Sequence, residues 1–201
     1  MRGLGITERR YSMNEIELIR RQLAVERQHA TDVARACASA LAGADTAENS
    51  TLTSDRGASI AAFRAASVEY LAWILSRFEE REQVFHDLLR KRFAADDPNR
   101  RAVEAALALP GSSREALARL EGALSAGNAD RWSEFLQFFT GAWSTRRDEI
   151  DRLFERHAKV PDWRTVSTID ADSIVDERNR YARVAATWPT DIEMSHTNVR
   201  V

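Results

Sequence analysis

Apolar residues recur every three to four positions in four long stretches of the chain, and a shorter stretch follows them. This spacing places the apolar side chains on one face of an α-helix. The predicted helices cover residues 13–41, 59–94, 100–125 (with an interruption), 129–158 and 171–186. The main apolar faces consist of Ile16, Ile19, Leu23, Ala30, Val33, Cys37 and Ala40 in the first, Ile60, Phe63, Leu71, Ile74, Phe78, Phe85, Leu89 and Phe93 in the second, and Phe135, Phe139, Trp143, Ile150 and Leu153 in the fourth.

Capping and turn residues mark the ends of the first two helices. Ser12 is followed by Glu15 in the spacing of a capping box, which predicts a helix start at Met13. The segment 43–57 is polar and rich in turn-forming residues, so we interpret it as a loop. Pro98 lacks the backbone N–H that a continuing helix needs, and it therefore marks the end of the second helix.

The third helix is predicted in two pieces. Pro110 and Gly111 interrupt it, and both residues are typical of a break between helices. Ser112 and Glu115 then repeat the capping-box spacing and predict a new helix start. Pro161 is expected to end the fourth helix.

Four long amphipathic helices with short or polar connections predict an all-α fold. We expect an antiparallel four-helix bundle that forms a single domain over residues 1–201. The short helix at 171–186 is expected to cover one end of the bundle or to mediate dimerisation. Only a few residues around Val166 favour a strand, and the segment beyond Trp188 is expected to be an extended tail.

Composition narrows the classes of function. The chain has 201 residues, of which 44% are hydrophobic and 30% charged, which suits a globular core. Its 29 basic and 31 acidic residues give a net charge of −2, so no overall charge favours nucleic acid or membranes. The single cysteine, Cys37, excludes an internal disulfide and a cysteine-rich zinc site. We expect a cytoplasmic protein without nucleic-acid or membrane partners.

Charged residues interrupt the apolar faces of three predicted helices. Buried charge is costly unless it is paired or bound to a metal. Facing helices that turn Glu and Glu-x-x-His inward build di-iron and di-manganese sites in bundles. The candidate ligands are Glu26 and His29 in the first helix, Glu79, Glu82 and His86 in the second, and Glu149 in the fourth.

A second interpretation of the same residues needs no metal. Arg146 also interrupts the apolar face of the fourth helix, between Trp143 and Ile150. Its guanidinium group is expected to pair with Glu26, Glu82 or Glu149 in a buried ionic network. Both interpretations follow from the residues alone.

Two segments resemble the hemerythrin-like (HHE) helical bundles. Residues 70–89, YLAWILSRFEEREQVFHDLL, are similar to the second helix of that family, and residues 135–163, ending in Asp162 and Trp163, are similar to its last ligand helix. His29 lies where the first-helix histidine is expected. The metal sites of that family are rich in histidine ligands, whereas this whole chain contains four histidines. The resemblance therefore implies that only His29 and one or two of the glutamates of the second helix remain as ligands.

The resemblance implies a regulatory or protein-interaction module with a degenerate metal pocket. Such a module is expected to lack a catalytic role and a bound cofactor, and to act as a homodimer or with a protein partner. The alternative is a non-haem, carboxylate-rich iron or manganese protein that binds or activates oxygen. A third class is a small-molecule sensor with an apolar pocket lined by Phe135, Phe139 and Trp143.

Overall fold

The computed structural model describes residues 4–47, 54–126, 129–166 and 171–189, and every regular element in these ranges is helical. Side chains are described within 15–40, 57–126, 129–166 and 174–189. The helices are α1 (Leu4–Ala47), α2 (Ser54–Arg92), α3 (Pro98–Ala108), α4 (Ser113–Ala126), α5 (Ala129–Phe138), α6 (Ser144–His157), α7 (Val160–Val166) and α8 (Ala171–Ala186). A π-helical turn, Phe139–Trp143, joins α5 to α6.

The first two helices are longer than predicted. Because α1 begins at Leu4, Ser12 lies inside the helix, and the predicted start at Met13 is wrong. Residues 43–47 and 54–57 continue α1 and α2, so the predicted loop at 43–57 is helical at both ends. Alanine is the best helix former, and two alanines lie in the extension of α1, at 44 and 47. Residues 48–53 lie outside the described ranges.

The predicted break in the third helix is confirmed. Asp97 caps α3 by accepting the Asn99 N–H at 2.7 Å, and Pro98 lies in its first turn. The Ser112 hydroxyl accepts the Glu115 N–H at 3.1 Å at the start of α4. The Glu115 carboxylate accepts the N–H of the preceding Gly111 at 3.1 Å, one residue earlier than in a standard capping box.

The fourth predicted helix is continuous from Ala129 to His157, but its centre widens into the π-helical turn. Pro161 does not close the helical region, because proline fits the first turn of a helix and α7 begins there. Val166, the centre of the brief strand signal, is buried at the end of α7. The predicted bounds of the last helix, 171–186, are confirmed. Most of the expected tail lies outside the described ranges.

The apolar residues form two core clusters along the helices. The first cluster includes Tyr70, Ile74 and Trp143 and lies between α1, α2, α4, α5 and α8. The second cluster includes Phe85 and Phe154 and lies between α1, α2, α3, α6 and α7.

One segment of α2, Gly57–Arg92, is long and apolar enough to cross a membrane by length and composition alone. The core helix of a soluble protein passes the same test, and α2 contributes to both core clusters.

Candidate functional site: a charged layer between the two core clusters

Five buried charged residues lie between the two core clusters. Along each helix, residues of one cluster lie before these charged positions and residues of the other cluster lie after them. We call this set the charged layer; it consists of Glu26 on α1, Arg81 and Glu82 on α2, and Arg146 and Arg147 on α6. All five are less than 9% exposed, so water solvates their charges poorly.

Glu26 pairs with Arg81 across the α1–α2 interface. Arg81 Nη1 donates to Glu26 Oε2 at 2.5 Å, and both side chains are at most 1% exposed. Gln22 donates to the other Glu26 oxygen at 3.4 Å. Within the described ranges, the Nε and Nη2 atoms of Arg81 have no hydrogen-bond partner, so its guanidinium group is only partly satisfied.

Glu82 pairs with Arg146 of α6, and this pair is the better satisfied of the two. Arg146 donates from Nε at 3.1 Å and from Nη2 to the same Glu82 oxygen. Its Nη1 donates to the carbonyls of Leu107 and Leu109 at the end of α3. Arg146 therefore binds a carboxylate and also caps the C-terminus of a helix, where cations are favourable.

A polar cleft of about 540 Å³ opens beside the second pair. Of the predicted ligands, Glu79, Glu82 and His86 line it, together with Glu104 and Arg146. Glu79 is engaged at the start of α4. Its carboxylate accepts a hydrogen bond from the Arg114 backbone N–H at 3.1 Å and lies 3.3 Å from the Arg114 guanidinium group.

His29 lies in a separate group formed with α8. Its Nδ1 is 2.8 Å from Glu177 Oε1, which also accepts the Tyr70 hydroxyl at 3.0 Å. The Tyr181 ring stacks on the imidazole with centroids 3.7 Å apart. Glu177 is fully buried, and its Oε2 has no hydrogen-bond partner among the residues that the structure describes. Burial and then the Glu177 charge raise the pKa of Tyr70.

The six predicted ligands thus lie in different surroundings. Glu26 faces Arg81, His29 faces Glu177, and the three α2 residues line the cleft. Glu149 lies apart from them and pairs with Arg152, which is 60% exposed. Within the described ranges, no three His, Cys, Asp or Glu side chains form a group that could hold a metal ion.

Sequence reasoning did not single out Arg81, Arg147 or Glu177. The spacing contained a signal for two of them. Arg81 lies three residues after Phe78 on the apolar face of α2, and Glu177 lies three residues after Ile174 and four before Tyr181. The pairing of these residues depends on the helix packing, which spacing alone does not give.

The three aromatic residues expected to line a sensor pocket are packed in the protein core. Phe139 stacks on Trp143 with centroids 4.3 Å apart, and Trp143 donates to the Ser113 hydroxyl at 3.1 Å. Phe135 is 1% exposed. These rings are part of the first core cluster.

Comparison of the chain with protein families, with curated proteins and with solved structures finds no match.

Proposed function

We propose that this chain is a hemerythrin-like four-helix bundle that acts as a non-catalytic regulatory or protein-interaction module. The four bundle positions are α1, α2, α3 with α4, and α5 with α6. The packing of α1 on α2, α2 on α4, α4 on α5 and α5 on α1 supports this arrangement. Neighbours in that ring are consecutive along the chain, as in an up-down-up-down bundle.

The pairing of Glu26 and Glu82 with arginines of other helices carries the proposal. In a carboxylate-bridged metal site, the glutamate oxygens are directed toward the ions. Here a guanidinium group engages an oxygen of each carboxylate. The same interior positions then hold the helices together by ion pairs, and the function is left to the outer surface.

Anaerobic reconstitution with ferrous iron tests the loss of the metal site. We expect iron well below one equivalent after desalting and no new near-ultraviolet or visible band on exposure to air. Near-stoichiometric iron with such a band would instead establish the alternative, a carboxylate-rich iron protein. Glu79→Gln, Glu82→Gln and His86→Gln then distinguish whether that iron occupies the polar cleft.

A second experiment tests whether the function resides on the surface. We would replace the pair by apolar residues, Glu82→Leu with Arg146→Met, and crosslink the tagged chain in the cells that produce it. If the module acts through its surface, wild type and variant recover the same partner in similar yield. Loss of that partner from a variant with native circular dichroism would place the function in the charged layer and contradict the proposal.

A further inference from the structure

A groove between α1 and α6 combines aromatic walls with guanidinium groups. Its volume is about 310 Å³, which is within the usual range for small-ligand sites. We call it the aromatic groove; its principal lining residues are Phe78, Phe85, Phe154, Trp163, Arg27 and Arg147. It is distinct from the polar cleft, where carboxylates are the main charged groups.

Arg147 is the unusual residue of the groove. Its side chain is 3% exposed, and its guanidinium carbon lies 5.3 Å from the ring centroids of both Phe78 and Phe85. Asp151 accepts from Nε at 3.3 Å and lies 3.1 Å from Nη2. Among the described residues, Nη1 has no hydrogen-bond acceptor. The buried guanidinium group thus has an exposed carboxylate as its partner and two aromatic rings beside it.

The neighbouring arginine on the same helix shows the contrast. Arg146 uses all of its nitrogens on Glu82 and two backbone carbonyls. In the part of the chain that the structure describes, Arg147 pairs with Asp151, whose side chain is 37% exposed. The charged layer thus buries three guanidinium groups and two carboxylates, so one cation lacks a buried counter-charge.

The other charges around the groove are already paired. Arg27 donates to Asp148 at 2.7 Å and to the Ser144 hydroxyl at 2.6 Å. Arg20 lies 3.5 Å from Glu155. A ligand for this site must therefore bring one anionic group for Arg147 and an apolar body for the aromatic walls.

We propose that the aromatic groove binds a small carboxylate with a flat apolar body. Its carboxylate pairs with the Arg147 guanidinium group, since guanidinium groups bind carboxylates strongly where water is excluded. Its ring packs against Phe85, Phe154 and Trp163. The inference goes beyond the proposed function and does not depend on it, because the groove lies apart from the cleft in which iron would bind.

Isothermal titration calorimetry with 2-naphthoate tests this site. We expect saturable binding at one site, roughly tenfold tighter than for neutral 2-naphthylmethanol, and no measurable binding of acetate. Absence of saturable naphthoate binding would overturn the proposal, and so would equal affinities for the acid and the alcohol.

Three variants locate the binding. Arg147→Gln should weaken naphthoate binding to the level of the alcohol, whereas Arg152→Gln, on the exposed side of the same helix, should leave it unchanged. Ala24→Phe introduces a ring at an exposed groove-lining position and should abolish binding. The Ala24→Phe variant still tests the location of the binding site if Arg147→Gln does not fold. Unchanged binding in a folded Ala24→Phe or Arg147→Gln protein would refute the assignment.

Discussion

The most direct perturbation of the charged layer is Glu82→Ala. It leaves Arg146, whose side chain is 8% exposed, with Nε and Nη2 unpartnered and its charge uncompensated. Removing one partner of a buried ion pair typically destabilises a protein by about 3–5 kcal/mol. We expect a value near the lower limit, about 3 kcal/mol, because the adjacent cleft admits water and Nη1 keeps its two carbonyl acceptors.

Urea unfolding followed by far-ultraviolet circular dichroism measures this loss of free energy of unfolding. Glu149→Ala is the matched control, because Glu149 also pairs with an arginine, but its partner Arg152 is 60% exposed. The control should change the stability by no more than about 1 kcal/mol. If the two variants differ by less than about 1 kcal/mol, the buried-pair reasoning fails.

The double replacement Glu82→Leu with Arg146→Met separates the cost of an orphaned charge from the value of the pair. Exchanging a buried ion pair for apolar side chains is often neutral or stabilising. Here the Leu107 and Leu109 carbonyls also lose their donor. We therefore expect the double variant to recover most, but not all, of the stability lost in Glu82→Ala. A double variant no more stable than the single one would show that Glu82 does not act through Arg146.

Further expectations concern two glycines and the cysteine. Gly111→Ala should lower the free energy of unfolding, measured with urea, by about 2–4 kcal/mol, because φ is +102° and a Cβ would lie 2.4 Å from the Ala142 backbone. Gly122 lies on α4 with open space around it, so Gly122→Ala should raise the free energy of unfolding by up to about 1 kcal/mol. Burial raises the pKa of the Cys37 thiol to about 11 from 9.0. The native thiol stays protonated, so its contribution to the free energy of unfolding is fully present well below pH 9, and about 2 kcal/mol of it is lost by pH 11. Cys37→Ala should remove that part of the pH dependence, and the native thiol should react with a disulfide reagent only upon unfolding.

The helices were largely predictable because long apolar periodicity reports the buried face directly. The ends of the helices were harder to predict. Ser12 and Glu15 carry a capping-box spacing, yet α1 continues through them, and Glu15 instead accepts from Arg164 of α7. A capping-box pattern shows that a helix could begin at that position, but tertiary packing decides whether it does. The π-helical turn had no signal in the spacing of Phe135, Phe139 and Trp143, which fits an ordinary helix equally well.

The identity of the interrupting charges was readable from the sequence, but their partners were not. Glu26 and Glu82 were found as polar residues on apolar faces. Choosing among the possible partners of Arg146 required the relative rotation and register of α2 and α6, which a single helix pattern does not contain. Glu177 reaches His29 only because α8 packs on α1 and α2, a contact that sequence spacing alone does not specify.

The charged layer also fixes how the helices slide past one another. A shift of one turn is about 5.4 Å, more than a charged hydrogen bond tolerates. Such a shift in α1 would move Glu26 away from Arg81 and toward one of the two apolar clusters. Apolar faces alone distinguish such registers less sharply, because apolar contacts are not directional. The interior ion pairs therefore contribute specificity even where they add little stability. Arg147, whose carboxylate partner is 37% exposed, is the position at which we propose that the layer binds a ligand.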